Sequence, residues 1–303
     1  MEVDYKEVKI GVEIELIGRT RMQVAESIRS VVGGGEIVRV PSSDLDTHEL
    51  VDARGRMWRV VSDASLINVS QHLRAEINTP ILSFEDLPEL QEVVRAVRRA
   101  GTRVDDKTAV HIHVSHPDLN ARAATNLARI FCKHEDLIFA AFGVTKERME
   151  RYAKKMRGEF AQKIAMRKPG DMNELNKWWY GRFNATPSRQ HDSRYAALNL
   201  NGLLYRDAVE FRLFQFANNR IHAGELRAWI VFCMALTAKA INTKAASAKK
   251  RNYEAGSGKF DFRVFISHGL GLHGPEHHNV RMHLLTRLQG DSAWKNPARR
   301  QSA

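Results

Sequence analysis

Several short segments of the chain alternate between apolar and polar residues. Residues 8–16 read V-K-I-G-V-E-I-E-L, residues 110–115 read V-H-I-H-V-S, and residues 208–214 read A-V-E-F-R-L-F. A period of two residues is typical of a β-strand that buries one face. Two further strands are predicted at residues 58–63 and 76–82, the second running into a turn. These strands are the framework of the predicted fold.

Other segments repeat their apolar residues at helical spacing. This spacing predicts helices over residues 20–32, 83–101, 122–142, 224–241 and 280–288. No Gly/Ser-rich or Pro-rich linker separates the predicted elements. We therefore predict a single domain over residues 1–295, of the α+β class, built on a largely antiparallel sheet with helices between the strands.

Two segments do not follow these patterns. Residues 154–193 are polar, rich in Lys, Arg and Asn, and interrupted by two prolines, which predicts a flexible lid or an insertion. Within this segment, Trp178, Trp179 and Tyr180 could stack on bases or sugars, or could equally anchor the segment to the core. Residues 296–303 form a basic tail that we expect to be frayed.

Composition narrows the choice of partners and compartment. The 303 residues include 47 Lys and Arg against 35 Asp and Glu, giving a net charge of +12, which makes polyanionic partners plausible. There are two cysteines, no apolar run long enough to span a membrane, and an acidic start unlike a signal peptide. We therefore expect a cytoplasmic protein that has no membrane partner and lies in a reducing compartment.

The polar faces of the predicted strands carry groups that bind metals or phosphates. These groups are Glu13 and Glu15, then Glu76, then His111 and His113, then Glu210 and Arg212. Two carboxylates on one strand face can simply be solvated, but in company with further acidic and imidazole groups they indicate a shared cation. Carboxylate oxygens favour Mg²⁺ or Mn²⁺ over zinc, and an arginine suits phosphate. The sequence thus predicts a nucleoside triphosphate held by divalent ions on a sheet.

Six segments together carry a family resemblance. The order G-V-E-I-E-L, W-R-V-V-S-D-A-S-L, E-I-N-T-P, V-H-I-H-V-S, R-Y-A-A-L-N and A-V-E-F-R-L-F resembles the amidoligase family of the carboxylate-amine ligase superfamily, which includes glutamine synthetase and glutamate-cysteine ligase. The resemblance extends from about residue 8 to about residue 216. It implies a glutamine-synthetase-like catalytic fold, with a curved, mainly antiparallel sheet and flanking helices.

The resemblance also implies an activity and its cofactors. Enzymes of this superfamily use ATP and Mg²⁺ or Mn²⁺ to phosphorylate a carboxylate, and an amine then attacks the acyl phosphate. The products are an amide or isopeptide bond, ADP and phosphate. No ammonia-binding loop is recognisable, which disfavours glutamine synthesis itself. The identities of the carboxylate and of the amine stay open.

The resemblance assigns roles to individual residues. Glu13, Glu15, Glu76, His111 and Glu210 match metal ligands. Arg212 matches an arginine that stabilises the transferred phosphoryl group.

Four further assignments follow from the same resemblance. His113 matches a histidine near the ATP phosphates, and Ser115 is expected in the same nucleotide site. Asp63 is expected to bind or deprotonate the amine, unless it only caps a turn. Arg194 is expected to hold phosphate or the substrate carboxylate, unless it only forms a surface ion pair.

One alternative function remains open. A non-catalytic, basic nucleic-acid-binding protein would use residues 154–194 and the tail, and its affinity would depend steeply on salt. Nucleic acid is also a possible partner of a ligase, although the resemblance does not require it.

Overall fold

The computed structural model describes residues 2–40, 46–63, 65–66 and 68–295. The basic tail predicted at residues 296–303 lies outside the described residues. The chain forms two compact units, and each is made of segments that are separate in sequence. The N-terminal unit comprises Lys9–Ile112 and Phe214–Arg227, and the C-terminal unit comprises Met1–Val8, His113–Leu213 and Ala228–Ala303. The single catalytic domain over residues 1–295 stays a prediction.

The N-terminal unit is built on antiparallel strands. They are β1 (Lys9–Ile17), β2 (Val38–Val40), β3 (Thr47–Val51), β4 (Met57–Val61), β5 (Arg74–Asn78) and the beginning of β6 (Val110–Ser115). Their order is β2-β3-β4-β5-β1-β6, and the pairs β2–β3, β3–β4, β4–β5 and β5–β1 are antiparallel. The four strands predicted in this unit are confirmed with small shifts at their ends, whereas β2 and β3 were not predicted.

Helix α1 (Arg21–Val32) packs against β3, β4 and β5, and also against α2 (Leu87–Arg99). Thr20 caps α1 by accepting a hydrogen bond from the backbone N–H of Gln23, and the Gln23 side chain accepts one from the Thr20 N–H. The apolar residues of β1 alternate with its glutamates and are buried. The alternation therefore separates the side chains that form the core from those available for chemistry.

A partly buried ion network joins the β3–β4 turn to the start of α2. The Asp52 carboxylate accepts hydrogen bonds from Arg56 Nε at 2.8 Å and from Trp58 Nε1 at 3.1 Å. Arg54 and Arg56 each donate to Asp86, at 2.7 and 2.9 Å. Asp86 also accepts hydrogen bonds from the Ser83 backbone N–H at 2.8 Å and hydroxyl at 2.9 Å. The network fixes one end of the sheet against α2.

The C-terminal unit is mainly helical. Its α-helices are α3 (Ala121–Phe142), α4 (Lys146–Arg151), α5 (Gly158–Met166), α6 (Met172–Tyr180), α7 (Leu203–Arg206), most of α8 (Ala223–Asn242), α9 (Gly258–Val264) and α10 (His278–Leu285). In the part of the chain that the structure describes, no helix is both long enough and apolar enough to cross a bilayer.

The predicted lid segment, residues 154–193, contains α5 and α6, and both helices contact α3. Trp178 and Trp179 are buried, and the Trp179 ring meets Phe160 edge-on with 5.1 Å between centroids. The Trp179 Nε1 atom donates to Ser193 Oγ at 2.9 Å. Of the two interpretations of these tryptophans, anchoring to the core is therefore the one that the structure supports. A lid motion of this segment stays a prediction.

The remaining strands of this unit follow the order β6-β8-β7, with β7 at Leu198–Asn199 and β8 at Val209–Phe214. Strands β7 and β8 pair antiparallel. Their connection needs glycine at position 202, because a Cβ there would lie 2.5 Å from the Ala208 carbonyl oxygen. The α+β class and the antiparallel pairing are confirmed, whereas the curvature of the sheet and the glutamine-synthetase-like fold stay predictions.

Candidate functional site

Three carboxylates meet on the polar face of the N-terminal sheet. Glu15 on β1 lies directly opposite Glu76 on β5, and Asp63 follows the end of β4. One ligand atom from each of these residues lies within 4.8 Å of the others. We call Glu15, Asp63 and Glu76 the acidic cluster. It arises because the β1–β5 register places two glutamates side by side on one face.

The electrostatics of the acidic cluster favour a positive charge. Glu15 and Glu76 are buried, and Asp63 is half-buried. Burial raises the pKa of Glu76 well above its usual value, and the nearby charges of Glu13, Glu15 and Asp63 raise it further. A buried carboxylate among other carboxylates must take up a proton or share a cation. The cluster is therefore suited to a divalent ion.

Neighbouring groups hold these carboxylates in place. The Glu15 Oε2 atom accepts a hydrogen bond from the Ala109 backbone N–H at 2.7 Å, and the Asn78 Nδ2 atom donates to Glu76 Oε1 at 2.9 Å. Asp63 accepts from the backbone N–H of Ser65 at 2.7 Å and from its hydroxyl at 2.8 Å. Asp63 thus caps a turn, and it also belongs to the acidic cluster.

An imidazole lies beside the same glutamates. The His111 Nδ1 atom is 3.1 Å from Glu13 Oε2, and its Nε2 atom is 3.9 Å from Glu15 Oε1. His111 is buried in β6, and Glu13 is half-buried. The structure thus brings together four predicted metal ligands of the N-terminal unit, along with Asp63, which the sequence associated with the amine.

A second polar group lies in the C-terminal unit. Glu210 on β8 is buried, forms a salt bridge with Arg212, and accepts a hydrogen bond from Asn199 Nδ2 at 2.7 Å. Asn199 is also its register partner on β7. The Arg212 Nε atom donates to the Tyr152 carbonyl oxygen at 3.2 Å. We call Glu210, Arg212 and Asn199 the Glu210 group.

His113 makes a contact that the sequence did not indicate. Arg206, at the end of α7, donates from Nη2 to His113 Nδ1 at 2.8 Å. In the described part of the chain, Arg206 forms no salt bridge with a carboxylate. In the sequence, Arg206 could be noticed only because it lies in the connection between two segments that resemble the family. This connection also contains Gly202, where a side chain would not fit.

The two remaining predicted residues occupy less enclosed positions. Ser115 is half-buried at the end of β6. Arg194 donates to Gln190 Oε1 at 3.1 Å and to Tyr195 Oη at 2.8 Å, and its guanidinium lies 4.8 Å from the Tyr195 ring centroid. Among the described residues Arg194 forms no salt bridge, so the surface ion pair considered from the sequence is not supported.

The donor set of the N-terminal unit consists of carboxylate oxygens and one imidazole. Oxygen donors of this kind suit Mg²⁺ or Mn²⁺, and neither cysteine of the chain takes part. Cys233 is buried and Cys132 half-buried within helices. The residues that are present therefore fit a hard divalent cation. The fold and the site together define an α+β protein with a buried carboxylate site.

The comparison with known families identifies the family. A family model described as "Putative amidoligase enzyme" matches residues 6–237. This match spans well over half of the chain, so the protein belongs to the amidoligase family, whose members are of the ligase type. A search of curated proteins returned no match. The family resemblance seen in the sequence is thus confirmed.

Proposed function

We propose that this protein is an ATP-dependent ligase that joins a carboxylate to an amine through an acyl phosphate. The observation that carries this proposal is the acidic cluster. Three carboxylates with ligand atoms within 4.8 Å of one another repel each other in a protein without a ligand, but they can bind a divalent ion together. Family membership supplies the ligase chemistry.

The N-terminal unit supplies most of the proposed metal ligands. Glu15, Glu76 and Asp63 would hold one Mg²⁺ or Mn²⁺ ion, and Glu13 with His111 would contribute to a second. Bound there, such ions would neutralise phosphate charge. The position of Asp63 in the acidic cluster supports metal binding as a role besides the amine contact expected from the resemblance.

The C-terminal unit supplies the proposed phosphate contacts. Glu210 is proposed as a ligand of the phosphate-side ion, and Arg212 as the donor that holds the transferred phosphoryl group. The salt bridge with Glu210 and the contact with the Tyr152 carbonyl fix the Arg212 guanidinium, which supports a preorganised role. His113 and Ser115 would contact the nucleotide, and Arg194 would bind phosphate or the substrate carboxylate.

In the proposed reaction, a substrate carboxylate oxygen attacks the γ-phosphorus of ATP and the bond to ADP breaks. The amine nitrogen then attacks the acyl carbon, phosphate leaves, and the nitrogen loses a proton. Neutralising charge on the phosphoryl oxygens is the task assigned to Arg212, since a charge-assisted hydrogen bond strengthens as that charge develops.

The test is product analysis with purified protein, ATP, Mg²⁺ and a panel of amino acids and polyamines. We expect ADP and phosphate in equal amounts, and only when a carboxylate and an amine are both present. Mass spectrometry should find a product that is one water lighter than the two substrates combined. Formation of AMP and pyrophosphate would contradict the acyl-phosphate route.

A matched pair of variants locates the activity. Glu15→Gln keeps the shape of the side chain but removes a metal ligand, and we expect it to abolish ADP formation. Glu49→Gln changes a half-buried carboxylate on β3, outside the acidic cluster, and should leave ADP formation unchanged. Salt-sensitive nucleic-acid binding without any nucleotide turnover would favour the non-catalytic alternative instead.

A further inference from the structure

Two basic segments that are distant in sequence come together on the C-terminal unit. One is the end of α5 with the residues after it, and the other is the irregular chain that follows α8. Besides Lys250, which pairs with Asp136, their exposed cations are Arg167, Lys168, Lys244, Lys249 and Arg251. In the described part of the chain, none of these five forms a salt bridge with a carboxylate. We call these five residues the basic surface.

Side chains of helix α3 hold the segment that follows α8 through hydrogen bonds. Arg122 Nη1 donates to the carbonyl oxygens of Ile241 and Thr243, at 3.0 and 2.7 Å. One turn further along α3, Asn126 accepts from the Ala246 N–H at 3.0 Å, and its amide donates to the Ala240 carbonyl at 3.3 Å. The segment is thus tied to two successive turns of a long helix.

Arg129, three residues beyond Asn126, joins the two basic segments. Its guanidinium donates to the carbonyl oxygens of Ile164 and Arg167 on one side, at 2.5 and 3.0 Å. On the other side it donates to the Ala246 carbonyl at 3.3 Å. Lys168 adds a direct link, because its Nζ atom donates to the Lys244 carbonyl at 3.2 Å.

Two of the α3 side chains that make these hydrogen bonds are themselves buried. Asn126 is 0% exposed and Arg129 is 6% exposed, and burial lowers the pKa of Arg129. Burying such groups is unfavourable unless they are hydrogen-bonded, and here their partners are mostly backbone carbonyls of the basic segments. The backbone that carries the cations is therefore held in one conformation, which reduces the entropy lost when a ligand binds.

We propose that the basic surface binds the phosphate backbone of a nucleic-acid duplex. Five cations without carboxylate partners complement a regular row of phosphates, which is recognised through charge and counterion release. Single strands are usually held by stacking of bases on exposed aromatic rings. Trp178, the ring beside Arg167, is itself buried and already covered by the Arg167 guanidinium at 5.0 Å. The geometry therefore favours a duplex over a single strand.

The charge of Asp136 on α3 is already balanced by other cations. Its carboxylate pairs with Lys155 at 2.6 Å and with Lys250 at 2.8 Å. This site goes beyond the proposed ligase activity and does not depend on it, because none of the five cations belongs to the proposed metal or phosphate contacts of that reaction.

The test measures binding of a labelled DNA duplex of about 16 base pairs by fluorescence anisotropy over a series of salt concentrations. The variant combines Lys168→Gln, Lys244→Gln and Lys249→Gln. The matched control removes the same charge from exposed cations of the N-terminal unit, through Lys9→Gln, Arg29→Gln and Arg99→Gln. Thermal unfolding midpoints close to that of the wild type establish that both variants are folded.

We expect the first variant to bind about 100-fold more weakly at about 0.1 M salt, with a log–log salt slope shallower by about 2.7, since each lost phosphate contact reduces it by about 0.9. The control should bind within about threefold of the wild type. ADP formation should be unchanged in both variants, so a failure of the ligase proposal would be seen separately.

Four results would overturn this proposal. They are equal weakening in the variant and in its control, tighter binding of the single strand than of the duplex, equal binding of polyglutamate, and no binding by the wild type at about 0.1 M salt. Equal weakening would mean that the net charge of +12 acts without a defined surface.

Discussion

The acidic cluster and the Glu210 group both contain buried carboxylates, but their charges are arranged in opposite ways. Glu15, Asp63 and Glu76 lie next to one another, and like charge together with burial raises the pKa of Glu76. Glu210 instead forms a salt bridge with the guanidinium of Arg212, two residues further along the same strand. Glu210 and Arg212 share a face because they are residues i and i+2 of one strand, whereas Glu15 and Glu76 meet through the register of β1 and β5.

The difference teaches what each carboxylate contributes to folding. In the acidic cluster, negative charges oppose folding of the metal-free protein, so a ligand must supply the compensating charge. In the Glu210 group, the charge of the glutamate is balanced within its own strand. Removing a carboxylate should therefore change stability in opposite directions in the two places.

The largest effect is expected for Glu76→Gln. This change should lower the rate of ADP formation at least about 100-fold, because a proposed metal ligand is lost. The same change should raise the free energy of unfolding of the metal-free protein by about 1 kcal/mol, because repulsion and the burial of a charge are relieved. Phosphate-release kinetics and urea unfolding in EDTA check the two parts. If the metal-free variant were less stable than the wild type, the acidic cluster would not oppose folding as described above.

Titration with pH should separate the two units. Burial, together with the charges of Arg251 and Lys133, lowers the pKa of His134 on α3 to about 4. The folded state favours neutral His134, so its contribution to stability is complete above the unfolded pKa of about 6.5 and is lost as the pH falls towards 4. For Glu76 the sign is reversed, because its raised pKa makes stability fall as the pH rises above about 4.5.

The size of the His134 effect follows from its shift. Between about pH 7.5 and pH 4.5, protonation of the unfolded state should lower the free energy of unfolding by about 2.5 kcal/mol. The His134→Leu variant should lack this component, and Glu76→Gln should lack the opposite one. Urea unfolding at the two pH values measures both. An unchanged pH dependence in His134→Leu would show that other groups cause it.

Glu210→Gln should destabilise the protein by about 2 kcal/mol, because a half-buried Arg212 loses its carboxylate. The double variant Glu210→Gln with Arg212→Met should recover part of this loss, since no unpaired charge remains. Thermal and urea unfolding measure both variants. If Glu210→Gln raised the stability, as expected for Glu76→Gln, the two regions would not differ in the way described above.

The smallest effect is expected for Arg59→Gln. Arg59 lies on β4 opposite Asn78, pairs with Glu49 at 2.7 Å, and has a side chain that is 53% exposed. An exposed ion pair contributes less than about 1 kcal/mol, so stability should hardly change. Urea unfolding of the variant checks this, and a larger loss would mean that charge on this sheet face matters beyond the acidic cluster.

The strands that carry most of the site could be predicted from the sequence, because β1, β6 and β8 alternate clearly. Strands β2 and β3 could not, because Val38–Val40 is short and Thr47–Val51 places polar residues among its apolar ones. These segments become strands because they pair with neighbouring strands, and not because their own sequence pattern favours a strand.

The composition of the acidic cluster was only partly predictable. Glu15 and Glu76 follow from alternation, but Asp63 comes after its strand, where the turn at Ser65 sets its direction. Arg206 was missed because its contact with His113 joins residues that are 93 positions apart. The two-unit organisation was not visible either, since the chain returns to the N-terminal unit at Phe214–Arg227 only through tertiary contacts.

The direct pairing of Glu15 with Glu76 has a consequence for sequence change. Deleting one residue inside β5 would bring an isoleucine or an alanine opposite Glu15, because neighbours along a strand face opposite sides. In the connection between β4 and β5, the carbonyl oxygens of Gln71 and Leu73 accept hydrogen bonds from Arg21 and from the Gly18 N–H, whereas residues 68–70 precede these contacts. Insertions should therefore be tolerated best around residues 68–70, and not within β5. A deep insertion and deletion scan would show tolerance ending between Ser70 and Arg74.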